Sequence, residues 1–416
     1  MSVGFRAMVQ ANEEMQLSYE DFSSLLRRLV VDDELARYLS FAQQPDGLCC
    51  KIHPAEEPLQ IFIEEDNRVF VKGRTAGAGP GYHAFLVGIV DQIGTELELD
   101  WTWEDDTSFA QSYDFDKVQE SMTEWLAYVA KCMLKNAAAD DHFSVSLPLG
   151  FQVLGEHFCA SPLGFIEKSW FEDFLQNEDS RQQKAAQFFP WWTEERDSEF
   201  YFRLGLNLLW TEVPWHFPVN PEDARIPSLA LDCFKRAKEL DETLTPPQKE
   251  LKEIKRLLAT TSQIELPPSR EGIGYRRHVL REKLAGDWFI DVPGFFHFET
   301  ENDGATEIFW HGSRTIRVTS LTVKGKNGQV LSPREVLQQL KIPDDLGEEE
   351  LLRQGDNLIG RANVEIHEDD GDEYWSLTCQ AAAPGSYCLL TICYDEEEDK
   401  KWAFETWQSL DFESSS

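Results

Sequence analysis

The sequence predicts an α+β protein: an N-terminal region of mixed α/β and helical character, then an antiparallel-sheet region with flanking helices. Three observations carry this expectation. Apolar residues recur at helical spacing through much of residues 82–133 and 165–259. From about residue 285 the period falls to two, in short runs bounded by turn residues. At the changeover lies Ile264-Glu-Leu-Pro-Pro-Ser-Arg-Glu-Gly-Ile-Gly-Tyr275, rich in proline and glycine. The hydrophobic period is the main mark of secondary structure, and proline and glycine punctuate it. The chain is therefore expected as an N-terminal domain over residues 1–262, a connecting stretch over 263–284 and a C-terminal domain over 285–416.

Taken in order, Ser18-Tyr-Glu-Asp21 opens a first helix. Serine is a favoured N-cap, and early acids suit the positive end of the helix dipole. Phe22, Leu25, Leu26, Leu29 and Val30 give that helix one apolar face. Leu59–Glu64 and Arg68–Arg74 alternate as a hairpin around Glu65-Asp-Asn67. Gly77-Ala-Gly-Pro-Gly-Tyr-His83 follows. Glycine lets amides crowd an anion, so this loop could cradle a phosphate beside a catalytic His83 in a hydrolase. Pro80 removes one N–H, however, and neither Walker-A nor GxGxxG spacing is present. The loop reads better as a turn into a helix starting near Tyr82.

Phe85, Leu86, Ile89, Val90, Ile93 and Leu97 mark that helix; Phe115, Val118, Met122, Trp125, Leu126, Val129 and Met133 mark the next. Between them Trp101 and Trp103 stand among Glu96, Glu98, Asp100, Glu104, Asp105 and Asp106, in the pattern of a strand with one wet acidic face. The central glycine of a calcium loop is missing, so no metal is expected there. Phe143–Val153 reads as a further strand and turn. From Phe165 to about Ala259 the pattern is helical and aromatic, ending in two helices around the Leu240–Pro247 turn. Ala230–Asp241 resembles the second helix of a tetratricopeptide repeat, but no second copy follows at the required period.

Beyond the connecting stretch, Asp287–Val292, Phe295–Thr300, Glu307–His311 and Arg314–Val323 read as successive antiparallel strands. Ser332-Pro-Arg-Glu335 is a capping box with proline at the first helical position. Ile359–His367, Tyr374–Ala383 and Ser386–Tyr394 add strands, with turns at Asp370-Gly-Asp372 and Pro384-Gly385. Asp399–Leu410 closes the chain as a helix.

The net charge is −36. Nucleic-acid phosphates and anionic lipid surfaces need a basic face, so both are disfavoured as partners, whereas a basic protein would be steered in. The acids are concentrated: Lys341–Ser416 holds 20 acidic and 5 basic residues. The eight cysteines include no CxxC pair and are expected as reduced thiols. With no basic-then-apolar leader and no long apolar run, a cytoplasmic location is expected. His297-Phe-Glu299 has the H-x-E spacing of zinc deaminases, but no Pro-Cys-x-x-Cys follows; H-E-x-x-H and G-x-S-x-G are absent. No catalytic residue, cofactor or metal ligand is assigned.

Two resemblances bear on function. Over Ala285–Leu410, the meander with its inserted and closing helices, Gly286-Asp-Trp-Phe-Ile-Asp-Val-Pro-Gly-Phe-Phe296 and Trp402-Ala-Phe-Glu-Thr-Trp407, resembles the Mog1/PsbP-like fold, which implies binding rather than catalysis. In overall character the chain resembles the acidic cytosolic immunity proteins that neutralise nuclease effectors of type VI secretion. That resemblance implies steric and electrostatic occlusion of a basic toxin. Candidate partner-binding residues are Glu368, Asp369, Asp370, Asp372, Glu373, Asp395, Glu396, Glu397 and Glu398, with Trp101, Trp103, Asp105 and Asp106 of the acidic connector. An adaptor that carries a secreted effector through the aromatic helices is the further alternative.

Overall fold

The computed structural model describes the chain except residues 1–2, 13–16, 32, 46, 65, 137–146, 148–157, 261–270, 302–305, 341–350, 355–356, 370–371 and 414–416. Most of the expected Phe143–Val153 strand, the start of the connecting stretch, and Glu65 and Asp370 in their turns lie outside the described residues. The chain forms two compact units. The first comprises Met1–Val213, Pro218–Ala259 and Gly272–Gly274; the second comprises Pro214–Phe217, Thr260–Glu271 and Tyr275–Ser416.

The first unit begins with β1 (Gly4–Gln10), α1 (Tyr19–Leu29), α2 (Asp33–Tyr38), β2 (Ser40–Gln44), β3 (Gly47–Lys51), β4 (Leu59–Ile63), β5 (Arg68–Arg74), α3 (Pro80–Glu96) and β6 (Thr102–Asp105). Six strands pair antiparallel in the order β2-β3-β4-β5-β1-β6. Alternation sends Phe5, Ala7, Ile61, Val69 and Val71 into the core, where all are buried, and turns Arg6, Lys72 and Glu104 to solvent. The capping box at Ser18 is present, with Asp21 at its third position. α4 (Phe109–Ser112), α5 (Phe115–Asn136), the hairpin β7 (Phe158–Ser161) and β8 (Gly164–Glu167), then α6 (Lys168–Gln176), α7 (Arg181–Phe188), α8 (Ser198–Asn207), α9 (Pro221–Leu240) and α10 (Gln248–Ala259) complete the unit. The aromatic run thus starts on a strand, because Phe165 lies on β8 and not on a helix.

The second unit holds β9 (Val279–Lys283), β10 (Trp288–Pro293), β11 (His297–Thr300), β12 (Thr306–His311), β13 (Arg314–Thr322), α11 (Pro333–Gln339), β14 (Leu351–Gln354), β15 (Ile359–Asp369), β16 (Asp372–Ala383), β17 (Ser386–Tyr394), α12 (Lys400–Ser409) and β18 (Asp411–Phe412). A seven-stranded antiparallel sheet runs β11-β12-β13-β17-β16-β15-β14, beside a three-stranded sheet β18-β10-β9. The architecture is α+β. One face of the large sheet buries Ile316, Val318, Leu377, Cys379, Leu390 and Ile392. The other face carries Ala382 and Tyr387 into a cluster with Val323, Leu331 and Val336. Each buried valine, leucine or isoleucine among these contributes ~1.5–3 kcal/mol when fully removed from water. The Ser332 capping box holds the start of α11.

Pro214–Phe217, which lies within the expected residues 1–262, belongs to the second unit. There Trp215 is fully buried at φ +57°, and the buried Arg277 guanidinium lies 3.5 Å from its ring centroid. The ring face offers a buried cation compensation that bare hydrocarbon would not. Among the described residues no helix is long and apolar enough to cross a membrane. The cysteines are free thiols; Cys50, Cys159, Cys233, Cys379 and Cys388 are buried.

Candidate functional site

Strand register decides which acids meet. β15 and β16 pair from Ile359↔Ala382 to Asp369↔Asp372, which sets Glu368 opposite Glu373. β16 and β17 pair up to Trp375↔Tyr394, so the chain leaves β17 at Asp395 where the β15–β16 hairpin turns. Two acidic runs more than twenty residues apart in sequence therefore share one end of the seven-stranded sheet. Glu368, Glu373, Asp395, Glu396, Glu397 and Glu398 are exposed, and among the described residues none of the six forms an ion pair. Asp369 and Asp372 occupy the last strand positions of the hairpin, and Asp370 lies outside the described residues.

The β12–β13 turn, closed by His311↔Arg314, lies at the same end, because Thr315 pairs with Cys393. Arg314 is already neutralised. Its Nε donates to Asp399 Oδ2 at 2.7 Å and its Nη2 to Oδ1 at 2.5 Å, and the guanidinium lies 5.2 Å from the Trp402 ring centroid. Bidentate geometry makes this a strong pair, so Arg314 leaves the exposed carboxylates without a counter-charge. Within the acidic end sits Ile366, paired with Trp375 and 66% exposed. Trp375 stacks on the buried Tyr394, and the His367 ring stacks on Tyr374 while its Nε2 meets Ser376 Oγ at 2.7 Å. An apolar centre within a charged rim is the usual anatomy of a protein interface.

The connector residues have other duties. Trp101 donates its indole N–H to Val90 O at 2.8 Å and covers Gly94, where a Cβ would meet the indole nitrogen. Trp103 packs 5.7 Å from Phe5. Asp105 falls on the inward parity of β6, and its side chain is buried. Its carboxylate accepts from the Thr107 amide and hydroxyl, from the Ala110 amide at 2.9 Å, and lies 3.2 Å from His83 Nε2. Burial alone would raise this carboxyl, but the imidazole and the two amides bring it down to about 2. Of the four connector candidates only Asp106 is exposed, and it accepts from the Gly4 amide at 3.0 Å.

The glycine loop is likewise engaged. Glu56 accepts from the Gly77 and Ala78 amides, Thr75 O from Gly79 and Trp191 O from Gly81. The backbone donors that an anion would use are taken. His83 is fully buried between Thr75 Oγ1 at 2.9 Å and Thr107 Oγ1 at 3.0 Å. Burial raises the Glu56 carboxyl to about 7, against the pull of those amides, and lowers the buried His53 to about 3. The helix begins at Pro80, two residues before the expected Tyr82.

Two further features qualify as candidates. In the second unit His297 lies 3.7 Å from His216 and 4.1 Å from Trp310 between ring centroids, with His311 beside Phe295 and Phe296. Burial, then the neighbouring histidines, lowers His297 to about 3; burial, then His216 and Arg314, lowers His311 to about 4. His216 and His297 bring two imidazoles together within this unit. In the first unit a cavity of about 620 Å³ is lined by Ser161, Phe165, Glu167, Trp170, Asp173 and Phe188, among others. Trp170 stacks on Phe174 at 5.4 Å, and Lys184 pairs with Asp173.

No protein-family profile matches the chain, and no curated protein is similar to it. Among solved structures, a protein of Bacteroides thetaiotaomicron VPI-5482 is similar over 31% of this chain and 46% of its own, at 12% identity and a TM-score of 0.24. The chain thus spans less than half of that protein's length. The solution structure of cyanobacterial PsbP (CyanoP) from Synechocystis sp. PCC 6803 is similar over 38% of this chain and 99% of its own, at 9% identity and a TM-score of 0.18. The likeness to the PsbP-like fold is a weak one, of fold alone.

Proposed function

We propose that this chain is an interaction protein that docks a basic protein partner on the acidic end of its seven-stranded sheet, as the immunity protein of a secreted antibacterial toxin. The observation that carries the reading is the convergence there of Glu368, Glu373 and Asp395–Glu398, exposed and without ion pairs among the described residues. Uncompensated charge of one sign speeds the encounter with a partner of the other sign. Close contact then falls to Ile366 and Trp375, while the carboxylates fill the basic groove in which a nuclease toxin would hold its substrate. Inhibition in this scheme is steric and needs no covalent step. The test is co-purification with basic products of neighbouring genes, repeated with E368K/E373K and with E396K/E397K/E398K. Reduced association in both variants supports the reading, and unchanged association in both refutes it.

The aromatic cavity beside Trp170 favours a second reading, an adaptor that carries an effector. Trp170→Ala losing the partner while both acidic variants keep it would select that reading.

A further inference from the structure

The outward face of the six-stranded sheet carries a surface of the opposite sign. Register lays its side chains in rows. Gln60, Lys72, Arg6 and Glu104 are successive partners across β4, β5, β1 and β6, and Phe62, Phe70, Met8 and Thr102 form the adjacent row. Arg6 and Lys72 are exposed, Phe62 and Phe70 half-buried. The Arg6 guanidinium lies 4.6 Å from the Phe70 ring centroid.

The other cations of this face are matched. Arg68 pairs with Glu64 at 2.9 Å and Asp66 at 2.7 Å, and Arg74 pairs with Glu57. Arg6 and Lys72 form no ion pair among the described residues, although Glu104 stands across from Arg6. Like charges directly opposite each other on a sheet are destabilising. In a chain of 75 acids and 39 bases, two adjacent cations left without a carboxylate mark a place for an anion from outside. Arg6, Lys72, Phe62, Phe70, Ile63 and Glu64 line a concavity of about 460 Å³ there.

We propose that this face binds a small ligand that joins a planar ring to a phosphate: a free mononucleotide. The ring lies on Phe62, beside the Phe70 ring that the Arg6 and Arg68 guanidinium groups already cover; base–aromatic stacking there is worth ~1–3 kcal/mol. The phosphate lies between Arg6 and Lys72. The two rows are two residues apart along each strand, about 6.8 Å, which suits the short reach from base to phosphate across one ribose. A small anion is favoured over a nucleic-acid strand because the net charge of −36 repels a polyanion, whereas a ligand of one or two charges meets mainly the local pair.

The experiment is calorimetric or NMR titration of the full chain with AMP, adenosine and inorganic phosphate. AMP should bind saturably and more tightly than either fragment, and the affinity should fall with salt. R6Q/K72Q should weaken AMP by about a hundredfold, the loss of two charge-assisted contacts, and F62L, separately, by about tenfold, the loss of one stack. These changes are at exposed or half-buried positions, and F62L keeps the test readable if the charge variant misfolds. Absence of AMP binding, or equal AMP affinity in folded R6Q/K72Q, overturns the proposal. Tighter binding of an oligothymidylate than of AMP overturns the free-nucleotide assignment.

Discussion

At the scale of single residues, most of the chemistry-bearing groups of the first unit serve its fold. A Cβ on Gly81 would lie 2.1 Å from Thr193 O and 2.2 Å from the Trp191 ring, so Gly81→Ala should cost about 3 kcal/mol or more in chemical denaturation. The lowered histidines set a pH dependence whose sign is fixed. His53 and His297 near 3 and His311 near 4 are neutral when folded, so their stabilisation is complete above about pH 6.5 and is lost as pH falls towards those values. Each contributes a slope of at most ~1.4 kcal/mol per pH unit. Glu56 acts the other way, because its raised carboxyl stabilises below its ordinary range and loses that contribution as pH rises to about 7. Denaturation at a series of pH values should show His53→Gln flattening the acid limb. Glu56→Gln should raise stability above neutral pH and change little in acid. The period of two in Leu97–Trp103 reads as a strand with a wet acidic face that includes Asp105; the strand is Thr102–Asp105, and together with Trp103 its pairing turns Asp105 inward. Its partners His83, Thr107 and Ala110 were not legible, since long-range convergence leaves no mark on local spacing.

At the scale of elements, strands with clean alternation and helices with caps were readable. Ser386–Tyr394 has the expected bounds, and the capping box at Ser332 is formed as its spacing required. Ser332→Ala should destabilise the second unit by about 1 kcal/mol in denaturant titration, since one amide loses its acceptor. β1 was not readable. Its outward residues Arg6, Met8 and Gln10 include an apolar one that blurs the period, although the strand sits inside the sheet between β5 and β1's other neighbour, β6. β8 was hidden for another reason: its Phe165 and Ile166 continue the aromatic pattern of the helix that follows. The acidic end was half legible. Both runs stood out in the sequence, but only the pairings Glu368↔Glu373 and Trp375↔Tyr394 bring them to one place. Because like charges face each other at the hairpin end, Glu373→Lys should stabilise the second unit by a few tenths of a kcal/mol, read from the shift of its denaturation midpoint.

At the scale of the whole molecule, the chain's charge has a geometry that composition alone does not give. Carboxylates are massed at one end of the large sheet, while Arg6 and Lys72 stand together on the open face of the other unit's sheet. The second unit also takes Pro214–Phe217 from a distant part of the chain. A fragment of residues 272–416 lacks Trp215, so its Arg277 loses the ring it lies on. It should melt below the second unit of the full chain, and a fragment that melts identically would show that Trp215 adds nothing. The most direct test of the docking account is the association rate of the co-purified basic partner, followed against ionic strength. Screening acts over ~8 Å at physiological salt, so steering by exposed carboxylates must weaken as salt rises. The account predicts a steep salt dependence for the wild type, flattened and slowed in a variant combining E368K/E373K with E396K/E397K/E398K, at an unchanged melting temperature. Equal rates and equal salt slopes for the two proteins would contradict it.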